Sequence, residues 1–157
     1  MKFIKKSRKS FLSMFVLLIC VIAFAGCTRG TVIDRLKNMY NVDTRLLTNC
    51  EIVCDISGET FTGYAPHYAV IQFNAEPTEF LQSFDNVKEN IKGFSSEKNE
   101  EIKNSIDAHS CMEIPTEYYP EWDDEYIWYY SYDVRVSALY LIYFPNDYKL
   151  VVYEAGH

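Results

Sequence analysis

The C-terminal third of the chain carries a two-residue aromatic repeat, and this repeat limits the possible folds more than any other feature. Ten of the thirteen tyrosines and both tryptophans lie between Tyr118 and Tyr153. An aromatic ring occupies every second position from 126 to 132, as expected for a β-strand with one wholly aromatic face. These rings belong to Tyr126, Trp128, Tyr130 and Tyr132.

Two further strands are predicted after this one, at residues 137–144 and 148–154, because both segments are rich in aromatic and β-branched residues. Pro145, Asn146 and Asp147 lie between them. Proline presets the backbone angle of a turn, and Asn and Asp tolerate turn conformations. The C-terminal segment is therefore predicted to form an antiparallel hairpin.

Three helices are predicted where apolar residues recur at helical spacing. The first covers residues 31–40 and begins with a Thr-x-x-Asp capping box. A second starts at Pro77 and ends at Gly93, and a third, more polar helix covers residues 96–109. The apolar stripe of the second helix comprises Phe80, Leu81, Phe84, Val87 and Ile91.

Two more strands, at residues 50–56 and 68–73, are predicted to form a hairpin with a long connection. The complete pattern predicts an α+β fold, in which helices cover one face of an antiparallel sheet of about five strands. A cleaved signal helix would precede this fold. Residues 31–157 are long enough to bury a core by themselves and are expected to form a single domain.

The N-terminal segment has the layout of an export signal. Five basic residues and no acid precede an apolar run of 14 residues from Phe11 to Phe24. A helix of that length spans about 21 Å, which is shorter than the roughly 30 Å hydrocarbon core of a bilayer. Removal of the segment is therefore expected, rather than a permanent membrane span.

The apolar run ends in Phe24-Ala25-Gly26-Cys27. This tetrapeptide resembles the lipobox of bacterial lipoproteins, Leu-Ala-Gly-Cys, with Phe24 in the Leu position. The resemblance implies that residues 1–26 are removed, that Cys27 carries fatty acid such as palmitate, and that residues 27–30 form a short tether. It implies a place at the cell membrane, facing outside the cytoplasm. An uncleaved anchor and an ordinary secretory signal cut elsewhere are the alternatives.

The mature domain would be strongly acidic. Cleavage would remove five basic residues and no acid, leaving ten basic residues against 22 acidic ones and a net charge of -12. Such a domain is repelled by nucleic acid and by anionic lipid head groups. The expected partners are therefore the membrane, through the lipid anchor, and an envelope protein or a glycan, with no nucleic acid.

Three cysteines remain in the mature chain beyond the lipidation site: Cys50, Cys54 and Cys111. On a regular strand Cys50 and Cys54 share one face about 13 Å apart, which is too far for a disulfide. We interpret both as small buried hydrophobic residues. The alternatives are a bridge from Cys111 to one of them, or a zinc site formed by the three cysteines and His109.

The segment 117–126 mixes carboxylates with aromatic rings, and it is the candidate binding site. Such a cluster can hold Ca²⁺, stack on sugar rings or engage a basic peptide. The alternative is a solvated loop whose acids face water while its rings fold back into the core. The candidate residues are Tyr118, Tyr119, Glu121, Trp122, Asp123 and Asp124.

The sequence contains no Walker loop, dinucleotide fingerprint, nucleophile elbow or His-Glu-x-x-His motif. No catalytic residue, metal ligand or cofactor is therefore assigned, and enzymatic activity is left undecided. The sequence favours a non-catalytic binding or interaction module, including an accessory factor that acts by occupying a partner. The alternative is a cell-envelope hydrolase that uses carboxylates of residues 117–125.

Overall fold

The computed structural model of the protein describes most of the chain after the leader. The described residues are 31–58, 65–85, 91–94, 99–108, 112–133 and 137–155. The leader and its tether, including Cys27, lie outside them, and so do His109 and Cys111. The predictions of signal cleavage, acylation, a bridge to Cys111 and a zinc site with His109 therefore concern residues that the structure does not describe.

The described residues form three α-helices and six β-strands in one antiparallel sheet. The helices are α1 (Val32–Tyr40), α2 (Thr78–Asp85) and α3 (Asn99–Ala108). The strands are β1 (Cys50–Ser57), β2 (His67–Phe73), β3 (Ile91–Phe94), β4 (Ile127–Asp133), β5 (Ser137–Phe144) and β6 (Lys149–Ala155). Their spatial order is β1-β2-β6-β5-β4-β3, and every neighbouring pair is antiparallel. The predicted α+β class is confirmed, with six strands where about five were expected.

The hairpin of β5 and β6 forms the centre of the sheet, as the C-terminal pattern predicts. A turn at residues 145–148 joins the two strands, and Ile142 lies opposite Val151. Every residue is buried from 139 to 144 in β5 and from 150 to 154 in β6. Both faces of the central strands are therefore shielded from water.

The helices cover both faces of the sheet, whereas the sequence led us to expect helices on one face. On the first, the α1/α2 face, Leu36 of α1 and Phe80 of α2 belong to the same buried cluster as Ile71 of β2. On the second, the α3 face, Ile102 and Ile106 of α3 pack in a cluster with Tyr68, Val70 and Tyr153. The apolar character of β5 and β6 at nearly every position requires cover on both sides.

Residues typical of helix caps form both ends of α1. The Thr31 hydroxyl accepts a hydrogen bond from the Asp34 N–H, and the Asp34 carboxylate accepts one from the Thr31 N–H, so that the predicted capping box is confirmed. The helix ends at Asn41, whose φ of 55° lies in the left-handed region that Asn tolerates. Local residue chemistry therefore defines both ends of this helix.

A β-bulge in β1 overturns the prediction that Cys50 and Cys54 share a face. The pairing with β2 shifts register between Ile52 and Cys54, so Val53 is the extra residue. As a result Cys50 packs on the α1/α2 face and Cys54 on the α3 face. Both thiols are free, and burial raises the pKa of each, in agreement with their interpretation as small hydrophobic residues.

The predicted helix from Pro77 to Gly93 is wrong at its C-terminal end. The described part of α2 ends at Asp85, and Ile91 and Gly93 lie in β3, paired with β4. Gly93 lies beneath Trp128, whose indole N–H donates to the Phe94 carbonyl at 3.2 Å. This cross-strand pairing determines the conformation of the segment, and helical spacing in the sequence does not reveal it.

Replacement of Gly93 by alanine should therefore destabilise the protein. A Cβ at this position would lie 2.2 Å from a ring carbon of Trp128, so either strand β3 or the Trp128 ring would have to move. We expect Gly93→Ala to lower the free energy of unfolding by about 1–3 kcal/mol, measured by denaturant unfolding with tryptophan fluorescence. Ile91→Ala, which truncates an exposed side chain of the same strand, is the control and should lower the free energy of unfolding by a clearly smaller amount. Equal losses for the two variants would contradict the packing described for Gly93.

The core also buries several tyrosines as neutral phenols. The Tyr68 hydroxyl donates to the Tyr118 carbonyl at 2.6 Å, and burial raises the pKa of Tyr68. Burial likewise raises the pKa of Tyr140 and of Tyr143 to about 12, with smaller contributions from nearby acidic groups. In the unfolded chain these phenols ionise near pH 10.

Alkaline pH should therefore unfold the protein. Between pH 10 and about 12 the folded state holds protons that the unfolded state has lost, so the free energy of unfolding falls as pH rises. This contribution to stability is fully present below pH 10. Denaturant unfolding at a series of pH values measures the free energy of unfolding, and tyrosinate absorbance at the same pH values measures the ionisation of the phenols. A free energy that stayed constant up to about pH 12 would contradict the burial of these phenols.

Candidate functional site

The aromatic rings of the acidic–aromatic loop, residues 117–126, are turned towards the protein. Tyr118, Tyr119 and Trp122 are half-buried and pack against the cluster on the α3 face. Tyr126 is fully buried, and its ring meets the ring of Trp122 edge to face at a centroid distance of 5.7 Å. The structure therefore brings the three predicted aromatic site residues together, with much of their surface used for packing.

Hydrogen bonds tie this loop to the rest of the domain. The Tyr118 carbonyl accepts from the Tyr68 hydroxyl of β2, and the Tyr119 hydroxyl donates to the Asp107 carboxylate of α3. Burial is the main cause that raises the pKa of Tyr119 to about 12, and the Asp107 carboxylate adds to it. These two hydrogen bonds attach the loop to β2 and to α3.

The carboxylates of the same loop face solvent. Glu121 and Asp123 are exposed, while Asp124 is half-buried and its N–H donates to the Glu121 carbonyl at 3.0 Å. Among the described residues, no group of three or more His, Cys, Asp or Glu side chains is arranged to hold a metal ion. The part of this loop that is most accessible to a partner is therefore its carboxylates, not its rings.

A buried charged cluster was not identified from the sequence. It is formed by Arg35, His67 and Glu154, together with Asp55 at its more exposed end, where 29% of the Asp55 side chain is exposed. Arg35 Nε donates to Glu154 Oε2 at 2.9 Å, and Arg35 Nη2 lies 2.7 Å from Glu154 Oε1. Glu154 lies opposite His67 in the β2–β6 pair, and only 2–3% of either residue is exposed. His67 Nε2 in turn contacts Asp55 Oδ1. The sequence contains one sign of this cluster: Glu154 is an acid at the end of an otherwise apolar run in β6.

This cluster connects α1 to the sheet. Asp55 Oδ2 accepts from the backbone N–H of Val32 at 3.0 Å, in the first turn of α1. A carboxylate at a helix N-terminus is stabilised by the exposed N–H groups and by the helix dipole. Contacts of the cluster join α1 to β1, β2 and β6, which indicates that the cluster attaches the first helix to the sheet.

An apolar edge was also missed by sequence reasoning. It consists of Ile91 and Phe94 of β3 and Tyr132 of β4, of which 48%, 55% and 52% are exposed. The sequence pattern placed Ile91 on the buried stripe of a helix. Only the pairing of β3 with β4 brings these three side chains to one border of the sheet.

Two open grooves are lined by described residues. The first has a volume of about 520 Å³ and is lined by Lys37, Asn41, Val42, Asp43, Thr44 and Arg45. The second has a volume of about 300 Å³ and is lined by Leu46, Thr48, Asn49 and residues 75–80. In the first groove the Arg45 guanidinium is paired with Asp43 Oδ2 at 2.7 Å. The pairing of charges within that groove reduces its attraction for a charged ligand.

No protein-family model, curated protein or solved structure matches the chain. Among the helices that the structure describes, none is long and apolar enough to cross a membrane. The features of the chain that bear on its function are therefore the leader sequence, the acidic–aromatic loop and the apolar edge.

The buried ion pair of Arg35 and Glu154 should contribute strongly to stability. Arg35→Met would leave the Glu154 carboxylate buried without its guanidinium, which costs about 3–5 kcal/mol of unfolding free energy. Arg45→Met is a matched control, because Arg45 pairs with Asp43 at the same 2.7 Å distance with 88% of its side chain exposed. The control should leave stability nearly unchanged. Equal melting temperatures for the two variants would show that the buried pair does not hold α1.

Proposed function

We propose that this protein is a lipoprotein on the outer side of the cell membrane and that it acts by binding a partner protein. The leader supports the proposed location, and the exposed surface of the domain supports the proposed mode of action. The observation that carries the binding function is the apolar edge, because Ile91, Phe94 and Tyr132 expose large apolar side chains at one border of the sheet, with Ile91 and Phe94 on opposite faces.

The leader supports membrane attachment in two ways. Its apolar run is too short for a permanent span, and it ends in a sequence that resembles a lipobox. Acyl chains on Cys27 would hold an acidic domain that anionic head groups repel, since two chains suffice for stable anchoring. Residues 28–30 would then keep the domain near the membrane surface.

The acidic–aromatic loop is a second contact surface in this proposal. Stacking on a sugar requires an accessible ring face, but Tyr118, Tyr119 and Trp122 use much of their surface against the core. The exposed carboxylates of Glu121 and Asp123 remain available to a basic partner. These properties favour a protein partner over a glycan.

Acylation at Cys27 can be measured by intact mass spectrometry of the protein extracted from bacterial membranes. The expected chain begins at Cys27 and carries additional acyl mass, because the leader resembles a lipobox. Cys27→Ala should lack that mass and should not be cleaved at this position. Cys50→Ala is the matched control, since Cys50 lies in the folded domain and should not affect processing. An unmodified chain, or one cut elsewhere, would overturn the proposed anchor.

A further inference from the structure

We propose that His67 makes the attachment of α1 to the sheet sensitive to pH. The helix is held while His67 is protonated, and the attachment weakens when His67 loses that proton. The device is the buried charged cluster, which joins α1 to β1, β2 and β6. It belongs to the fold and goes beyond the proposed binding function, on which it does not depend.

His67 faces charged groups on the neighbouring strands, and one of these groups is paired with α1. On β1, the Asp55 carboxylate contacts His67 Nε2, and Ser57 is the residue opposite His67 in the strand pair. On β6, Glu154 lies opposite His67. On α1, Arg35 pairs with Glu154. Only 3% of His67 is exposed, so the charge state of its ring depends on these neighbours more than on water.

The charges of the four side chains in the cluster balance only when His67 is protonated. Two positive and two negative charges are then present, and loss of the proton leaves one negative charge in excess. Burial favours a neutral histidine, whereas a carboxylate in contact favours the protonated ring. Because Glu154 is paired with Arg35, His67 is the cation of the cluster that contacts Asp55. A buried charge that loses its partner is strongly destabilising, so we expect the contact with Asp55 to outweigh the effect of burial.

Asp55 connects the charge of His67 to the first turn of α1. One oxygen of its carboxylate contacts His67, and the other accepts the backbone N–H of Val32 at 3.0 Å. When His67 is neutral, Asp55 has lost its charged partner, and water can replace it because 29% of the Asp55 side chain is exposed. Rotation of the carboxylate towards water would release the first turn of the helix. Val32 and Leu36, each 1% exposed, would then become accessible.

The direction of the pH dependence follows from the charge balance. Histidine changes its charge between about pH 5 and pH 8, whereas Asp and Arg keep theirs across this range. The folded cluster holds the His67 proton more tightly than the unfolded chain, where Asp55 is no longer in contact with it. The resulting stabilisation is present at the acidic end of the range and is lost as the pH rises and His67 deprotonates.

Hydrogen–deuterium exchange of the full-length protein, measured by mass spectrometry and corrected for the intrinsic effect of pH on exchange, tests this inference. We expect the protection of the α1 amides to fall about fivefold between about pH 5.5 and pH 8.5, while the amides of β5 and β6 stay protected. His67→Gln keeps a hydrogen-bond donor but cannot be protonated. In this variant the protection of α1 should be the same at both pH values.

A second variant tests the partner of His67. Asp55→Asn keeps an oxygen that can accept from Val32 but removes the charge that holds the His67 proton, so it should also abolish the fall. The matched control is Asp85→Asn, which removes the charge from the Asp85–Lys92 pair outside the cluster and should retain the fall. Constant α1 protection in the unmodified protein, or an unchanged fall in His67→Gln, would overturn the proposal. An equal loss in α1 and in the β5–β6 hairpin would contradict it as well, because the whole domain would then be unfolding.

Discussion

The burial of both faces of the β5–β6 hairpin is the constraint on which the remaining structure depends. Every residue from 139 to 144 and from 150 to 154 is buried, so neither face of these strands can be left in water. Helices α1 and α2 cover one face, and α3 with the acidic–aromatic loop covers the other. Strands β2 and β4 extend the sheet on either side, which leaves β1 and β3 as its edges.

The buried charged cluster joins this core to the start of the described chain. Arg35 of α1 pairs with Glu154 of β6, and Asp55 of β1 holds the backbone at Val32. Buried charges are costly unless each has a partner, so the contacts constrain the position of α1 on the sheet.

The surface properties of the domain come from two regions that use aromatic residues differently. In the acidic–aromatic loop the rings pack inwards and the carboxylates are left in solvent, since rings gain most from burial while charges must stay hydrated. At the apolar edge, by contrast, exposed Ile91 and Phe94 lie on β3, which has a strand neighbour on one side only among the described strands. Tyr132 is exposed on β4, beyond the last residue of that strand that pairs with β3. Binding in the proposed function therefore uses apolar contacts at this edge and acidic charge on the loop.

The sequence by itself determined the α+β class, α1 with its capping box and the C-terminal hairpin, because hydrophobic period, caps and turn residues are local signals. It also identified residues 117–126 as an acidic segment, but it could not distinguish rings that pack inwards from rings that face a ligand. Only the tertiary structure determined the bulge that separates Cys50 from Cys54 and the burial of Glu154. It also determined that residues 91–94 form an edge strand, where the sequence pattern predicts the end of a helix. Each of these depends on a partner distant in the sequence: β2 for the bulge, Arg35 for Glu154 and Trp128 for Gly93. The sequence marks Glu154 as an acid in an apolar strand, but it does not show which residue pairs with it.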